Sequence, residues 1–200
     1  MKDVCDNHIV NIKKKEMKIK KFDETNSSGV AESILSNVKS KMGMIPNLFA
    51  YMANNPALLK SYLEVEDNFR NHTGFTPVEQ EVVLLSVSVE NGCTYCVAAH
   101  SFIAKNQSKV PDEVVKSLRN GEEIENEKLQ ALRKLTEAIV KSKGYPTQEV
   151  INEFKNKGYT DENYLGILTG IALKSMSNYF NHINETPVDD AFVNFKWEKK

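Results

Sequence analysis

Cys93, Cys96 and His100 fall within the ten residues NGCTYCVAAH. Two thiols three positions apart can close a disulfide, or share a metal with other ligands. On a helix, a thiol and an imidazole four positions apart share one face, so the imidazole can act as base for the thiol. Gly92 is a helix stop, and a new helix is expected from Thr94 or Tyr95. Cys96 then lies in a first turn, where unpaired N–H groups and the helix dipole favour a thiolate. A nucleophile, a resolving thiol (Cys93) and a base converge.

Such a site needs an acid to orient the histidine. The preceding segment offers Glu79, Glu81 and Glu90. At about 100° per residue, Val78, Val82, Leu85 and Val89 form its inward stripe. Glu81 lies at the edge of that stripe, while Glu79 and Glu90 sit round the flank where solvent is expected. Glu81 is the candidate. A zinc site is the competing reading, with Cys5 and His8 completing the ligands of C-x2-C-x3-H. A CxxC held between long apolar helices, far from a turn between strands or short loops, argues against it. Buried inert thiols remain the structural alternative.

The elements that position these residues read as helices. Val30, Ile34, Leu35, Val38 and Met42 repeat at helical spacing, and Gly43 and Pro46 end that run. Pro56 opens the next helix. Thr76-Pro77-x-Glu79 combines an N-cap, a first-turn proline and a capping-box acid, opening a helix to about Asn91. Further helices are expected from Pro111, over 126–143, over 147–157 and, most apolar of all, over 161–183. A short strand around 17–22 is the one β signal. The fold class is all-α, in a single domain over 28–185, with a basic, mobile leader over 1–27 and a tail over 186–200. Met17 is a candidate alternative start.

The chain has 200 residues and a formal net charge of −1, which gives no electrostatic reason to expect nucleic acid or an acidic membrane surface. The lysines of KKKEMKIKKF read as a solvated leader rather than a nucleic-acid arm. No apolar run approaches the about 20 residues that span a bilayer. Three cysteines cannot all pair within one chain, and with no signal-peptide pattern the expected compartment is the reducing cytoplasm. No glycine-rich nucleotide loop is present, so no bound flavin or nicotinamide is expected.

The segment EQEVVLLSVSVENGCTYCVAAH resembles the signature of AhpD-like alkylhydroperoxidases in the carboxymuconolactone decarboxylase family. A glutamate, CxxC twelve positions on, and a histidine four beyond the second cysteine make up that signature. MGMIPNLFAYMANNPALL looks like the lead-in of its peroxidase-related branch. The resemblance covers about 28–185 and implies an all-helical, trimeric or hexameric thiol peroxidase without metal or haem. It implies that Cys96 attacks the peroxide and Cys93 resolves it, with His100 and Glu81 as proton relay. An external dithiol or small redox protein is the implied reductant. Well-known members carry a histidine inside CxxC where this chain has Tyr95, a phenol that can still donate a hydrogen bond. The opposing class is a weakly catalytic redox sensor or scaffold on the same fold.

Ser88 and His182 join Tyr95 as candidates for a supporting shell, although a satisfied structural histidine is the simpler reading of His182. Gly166 and Gly170 permit close helix approach. The 161–183 helix carries apolar residues on more than one face, which points to burial against a second copy of the chain.

Overall fold

The computed structural model describes residues 19–199. Among them nine α-helices and one 3-10 helix account for the regular structure, and the fold is all-α. The helices are α1 (Gly29–Met42), α2 (Asn47–Met52), α3 (Pro56–His72), α4 (Pro77–Glu90), α5 (Thr94–Asn106), α6 (Asp112–Asn120), α7 (Glu127–Ser142), α8 (Gln148–Asn156) and α9 (Asp161–Asn184). The 3-10 helix covers Asp190–Phe195.

Local chemistry sets most boundaries. Asn55 caps α3 by accepting from the N–H groups of Ala57 and Leu58, with Pro56 in the first turn. Thr76 and Glu79 close a reciprocal capping box on α4, and Thr160 and Asn163 do the same on α9. Gly43 ends α1 at φ 75°, a backbone conformation that L side chains disfavour.

The centre of the fold is α4, which packs on α5, α7 and α9 at once, while α3 covers the other side of α9. Val82, Val83, Leu84, Leu85 and Val87 are all fully buried. This corrects the expected one-sided stripe: α4 is buried nearly all round and has no single inward face. Burying each of these side chains stabilises the fold by about 1.5–3 kcal/mol, and Leu84→Ala would cost about 2–5 kcal/mol. Glu79, expected in solvent, is also buried, held by its capping box and by Lys128 at 3.1 Å.

Gly166 and Gly170 serve packing within the chain. A Cβ on Gly170 would lie 2.7 Å from Val83 Cγ1 and 2.8 Å from Phe69 Cε2, so its absence lets α9 seat against α3 and α4.

Residues 1–18, which hold Cys5, His8, Met17 and most of the expected leader, lie outside the described residues. Residues 19–22 form no strand, and Phe22 is pinned by its N–H to Ala50 O at 3.0 Å. The segment beyond 185 packs as a strap. Phe192 is buried against Tyr95 and Phe102, and Arg119 donates to the carbonyls of Phe195 and Lys196. Trp197 Nε1 returns a hydrogen bond to Arg119 O.

Candidate functional site

Cys93 is the N-cap of α5 and Cys96 its third helical residue, one turn on. Gly92, at φ 70°, lets the chain reverse between α4 and α5, and Cys93 N–H donates to Ser88 O at 2.9 Å. Both cysteines are free thiols, and neither is more than 1% exposed. The two side chains are hydrogen-bonded to each other.

That arrangement separates the thiols electrostatically. For Cys93, the hydrogen bond with Cys96, followed by burial and the negative charge of its neighbour, pushes the pKa up. For Cys96, burial also opposes the thiolate. The Cys93 hydrogen bond and the Lys174 charge, the two largest opposing effects, outweigh it with smaller help from His100 and Ser177, and hold the thiol well below its usual range. Asn181 Nδ2 donates to Cys96 Sγ at 3.2 Å and reaches Cys93 Sγ at 3.8 Å, while Ser177 Oγ lies 3.7 Å from Cys96 Sγ.

Behind the thiols runs a buried polar chain. Arg70 on α3 donates to Glu81 Oε1 at 2.6 Å, and Glu81 Oε2 lies 2.9 Å from His100 Nδ1. The other ring nitrogen, Nε2, lies 2.8 Å from Lys174 Nζ on α9. Glu81 is fully buried; burial raises its pKa, but the pairing with His100 and Arg70 brings it below the ordinary carboxylate value. His100 is buried as well, and burial followed by the Lys174 charge lowers its pKa despite Glu81. A carboxylate can only accept and an ammonium can only donate. The ring between them must therefore carry its proton on Nδ1 and stay neutral, an assignment made from the partners.

Cys96, His100 and Lys174 share the wall of a cavity of about 50 Å³, with Leu48, Phe49 and Phe192 among its apolar lining. This is room for one or two water-sized molecules, water's own share of liquid being about 30 Å³. Larger clefts elsewhere, such as one of about 460 Å³ between α1 and α3, do not contain the cysteines.

The structure thus brings Glu81, Cys93, Cys96 and His100 together. Tyr95 is adjacent but faces the strap, its phenol donating to Asp189 Oδ2 at 2.6 Å. The other two expected supporting residues bring no side chain to the thiols. Ser88 spends its hydroxyl on Leu84 O, one turn back in its own helix, and His182 is exposed to solvent. Lys174, Asn181, Ser177 and Arg70 were not expected. A signal for three of them exists in the sequence: Gly166, Gly170, Lys174 and Asn181 fall on one stripe of α9, with Ser177 beside it. A lysine on the small-residue face of an apolar helix points inward.

Among the described residues no group of three or more histidines, cysteines or acids is gathered to hold a metal. Cys5 and His8 lie outside that set. Also among them, no helix is long and apolar enough to cross a membrane.

Residues 56–138, which contain Glu81, Cys93, Cys96 and His100, match the model of the carboxymuconolactone decarboxylase family. That segment carries the family's pattern, and the fold around it is AhpD-like. The fold is shared with an AhpD-core, peroxidase-related protein of Ralstonia eutropha JMP134. The two are 22% identical, with a TM-score of 0.75 over 88% of this chain and 95% of that one. A peroxidase-related protein from Silicibacter sp. TM1040 gives 17% identity and a TM-score of 0.71 over 89% and 96%. The debrominase Bmp8 gives 18% identity and 0.69 over 86% and 92%. No curated protein matches the chain. In this AhpD-like chain the family match stops before α9, so Lys174 and Asn181 lie outside the matched segment.

Proposed function

We propose that this AhpD-like protein is a thiol peroxidase that cycles through a Cys93–Cys96 disulfide. The observation that carries the reading is the pairing of a buried, thiolate-favouring Cys96 with the buried Glu81–His100 pair on one small cavity. Cys96 attacks the peroxide and becomes a sulfenic acid. Cys93, whose thiol is held protonated, condenses with it and water leaves. An external dithiol or small redox protein then reopens the disulfide. The peroxidase-related names of two structural relatives agree with this chemistry. A homo-oligomer in a reducing, cytoplasmic compartment completes the proposal.

Steady-state reduction of hydrogen peroxide and of an organic hydroperoxide, with dithiothreitol as reductant, tests it. Dithiol-dependent turnover that disappears in Cys96→Ser supports the reading. A wild-type thiol no faster than free cysteine overturns it in favour of a redox scaffold.

The Bmp8 likeness raises a second chemistry for the same thiols, because a variant of that debrominase has been crystallised in complex with 2,3,4-tribromopyrrole. A cavity of about 50 Å³ favours the smaller peroxide group. Bromide release from that pyrrole in the presence of dithiol separates the two.

A further inference from the structure

Lys174 sits 1% exposed on α9, and burying an ammonium is costly unless an anion balances it. Among the described residues its Nζ makes no ion pair with a carboxylate: Glu81 is joined to Arg70 and His100, and the ammonium meets the lone pair of neutral His100. The charged and titratable groups around it are Tyr62, Glu66 and Arg70 on α3, Glu81 on α4, and Cys93, Tyr95, Cys96 and His100 at the start of α5. Glu81 and Arg70 neutralise each other, and the pKa values of Tyr62 and Tyr95 are raised, so both stay neutral. Glu66 is half-buried at the cavity wall, on the side open to water, and forms no ion pair with the ammonium. Cys96, on the same cavity wall, is the fully buried acidic group left.

We propose that Lys174 is the counter-ion of the Cys96 thiolate and the acid that protonates the oxygen leaving from a peroxide bound in the cavity. The proposal rests on the peroxidase reading and changes its proton path: His100 faces Lys174 with the lone pair that a base toward Cys96 would need. The thiolate sulfur attacks the terminal oxygen of a hydroperoxide. The S–O bond forms, the O–O bond breaks, and its electron pair leaves on the substituted oxygen. Lys174 gives that oxygen a proton, releasing an alcohol, or water from hydrogen peroxide, and becomes a neutral amine. Cys93 then displaces hydroxide from the sulfenic acid; its own proton joins the hydroxide as water, and the S–S bond forms. The amine stays neutral while the disulfide stands, so no buried charge is left unbalanced. An external dithiol supplies two electrons and two protons, becoming a disulfide itself. One proton restores the Cys93 thiol and the other recharges Lys174.

The test separates charge from proton delivery. Iodoacetamide alkylation of Cys96 against pH reads the thiolate alone; single-turnover reaction with hydrogen peroxide reads thiolate and proton together. In full-length Lys174→Met, checked as folded by circular dichroism, alkylation at neutral pH should fall about tenfold or more, the effect of one pKa unit or more. Its peroxide step should fall about 10²–10⁴-fold. Lys174→Arg should keep alkylation near wild type, because the charge remains. Its peroxide step should stay slow, because a guanidinium does not give up its proton. Lys134→Met, at an exposed lysine outside the cavity lining, should leave both readouts unmoved. Wild-type alkylation and peroxide rates in Lys174→Met would overturn the proposal. If Lys174→Met does not fold, a wild-type peroxide rate in Lys174→Arg overturns the proton donation. A wild type inert to peroxide sinks the peroxidase reading instead, while the alkylation profiles still decide the counter-ion.

Discussion

The phenol of Tyr95, inside the CxxC turn, donates a 2.6 Å hydrogen bond to Asp189, 94 positions later in the chain. Asp189 also accepts from Asn47 N–H at 3.0 Å, so one buried carboxylate ties α5, the start of α2 and the strap together. Asp189→Asn should lower the stability of the folded chain by about 1.5–3 kcal/mol, the scale of hydrogen bonds to a charged group. Urea unfolding with an unchanged slope checks it.

Separate substitutions should divide the two cysteines. Cys96→Ser should abolish peroxide consumption and leave Cys93 sluggish, its thiol being held protonated. Cys93→Ser should react once and leave a sulfenic acid on Cys96 that a dimedone-type probe labels. Mass spectrometry of the labelled peptides reads the outcome, and rapid labelling of Cys93 in Cys96→Ser would reverse the roles.

Acid should weaken this fold through two buried groups. The folded-state pKa values of His100 and Glu81 both lie below their ordinary values of 6.5 and 4.5. The unfolded chain then binds more protons than the native one, so stability rises with pH. His100 contributes its share above about pH 6.5 and loses it as pH falls through its lowered value. Glu81 contributes its share above about pH 4.5 and loses it as pH falls through its own lowered value. Glu81→Gln should remove the lower part of this slope and cost about 3–5 kcal/mol at neutral pH, because Arg70 loses its buried partner. Urea midpoints taken across the acid range give both numbers.

Packing at α9 should be as sensitive as its charge. Gly170→Ala puts a methyl within 2.8 Å of Phe69 and Val83, an overpacking that costs about 1–3 kcal/mol. Because Lys174 follows one turn later, the same change should also slow peroxide reduction, whereas Gly158→Ala, with open space around it, is a control for backbone strain alone. Thermal unfolding beside the peroxidase assay reads the two effects.

The outer face of α9 carries Leu165, Leu168, Tyr179 and Ile183, each at least 44% exposed, at helical spacing along one stripe. Covering such a stripe by a second copy removes it from water. Light scattering at micromolar concentration should report an oligomer, and Leu165→Glu with Ile183→Glu should shift it toward monomer.

Helices and caps were legible in the sequence because their signals are local. Thr76-Pro77-x-Glu79 and Pro56 mark starts that the structure keeps. The short α2 and the 3-10 helix were not, being only six residues each and without a full amphipathic repeat. At the site, Glu81, Cys93, Cys96 and His100 could be found because two consecutive helices carry them at fixed spacing. Lys174 and Asn181 show in the sequence only as polar residues on the small-residue stripe of α9, and Asp189 not at all, because each meets its partner in the site from more than 70 residues away in the chain.

Glu81 sits in the middle of α4, the helix that also forms the centre of the hydrophobic core. Its neighbours Val82 and Val83 are packed on all sides, and its carboxylate joins two further helices through Arg70 and His100. Drift in this lineage is therefore epistatic: a descendant that gave up the chemistry could not simply lose the acid. It would first need compensating changes at Arg70 and His100, so a relic of the charge network should outlast the activity it served.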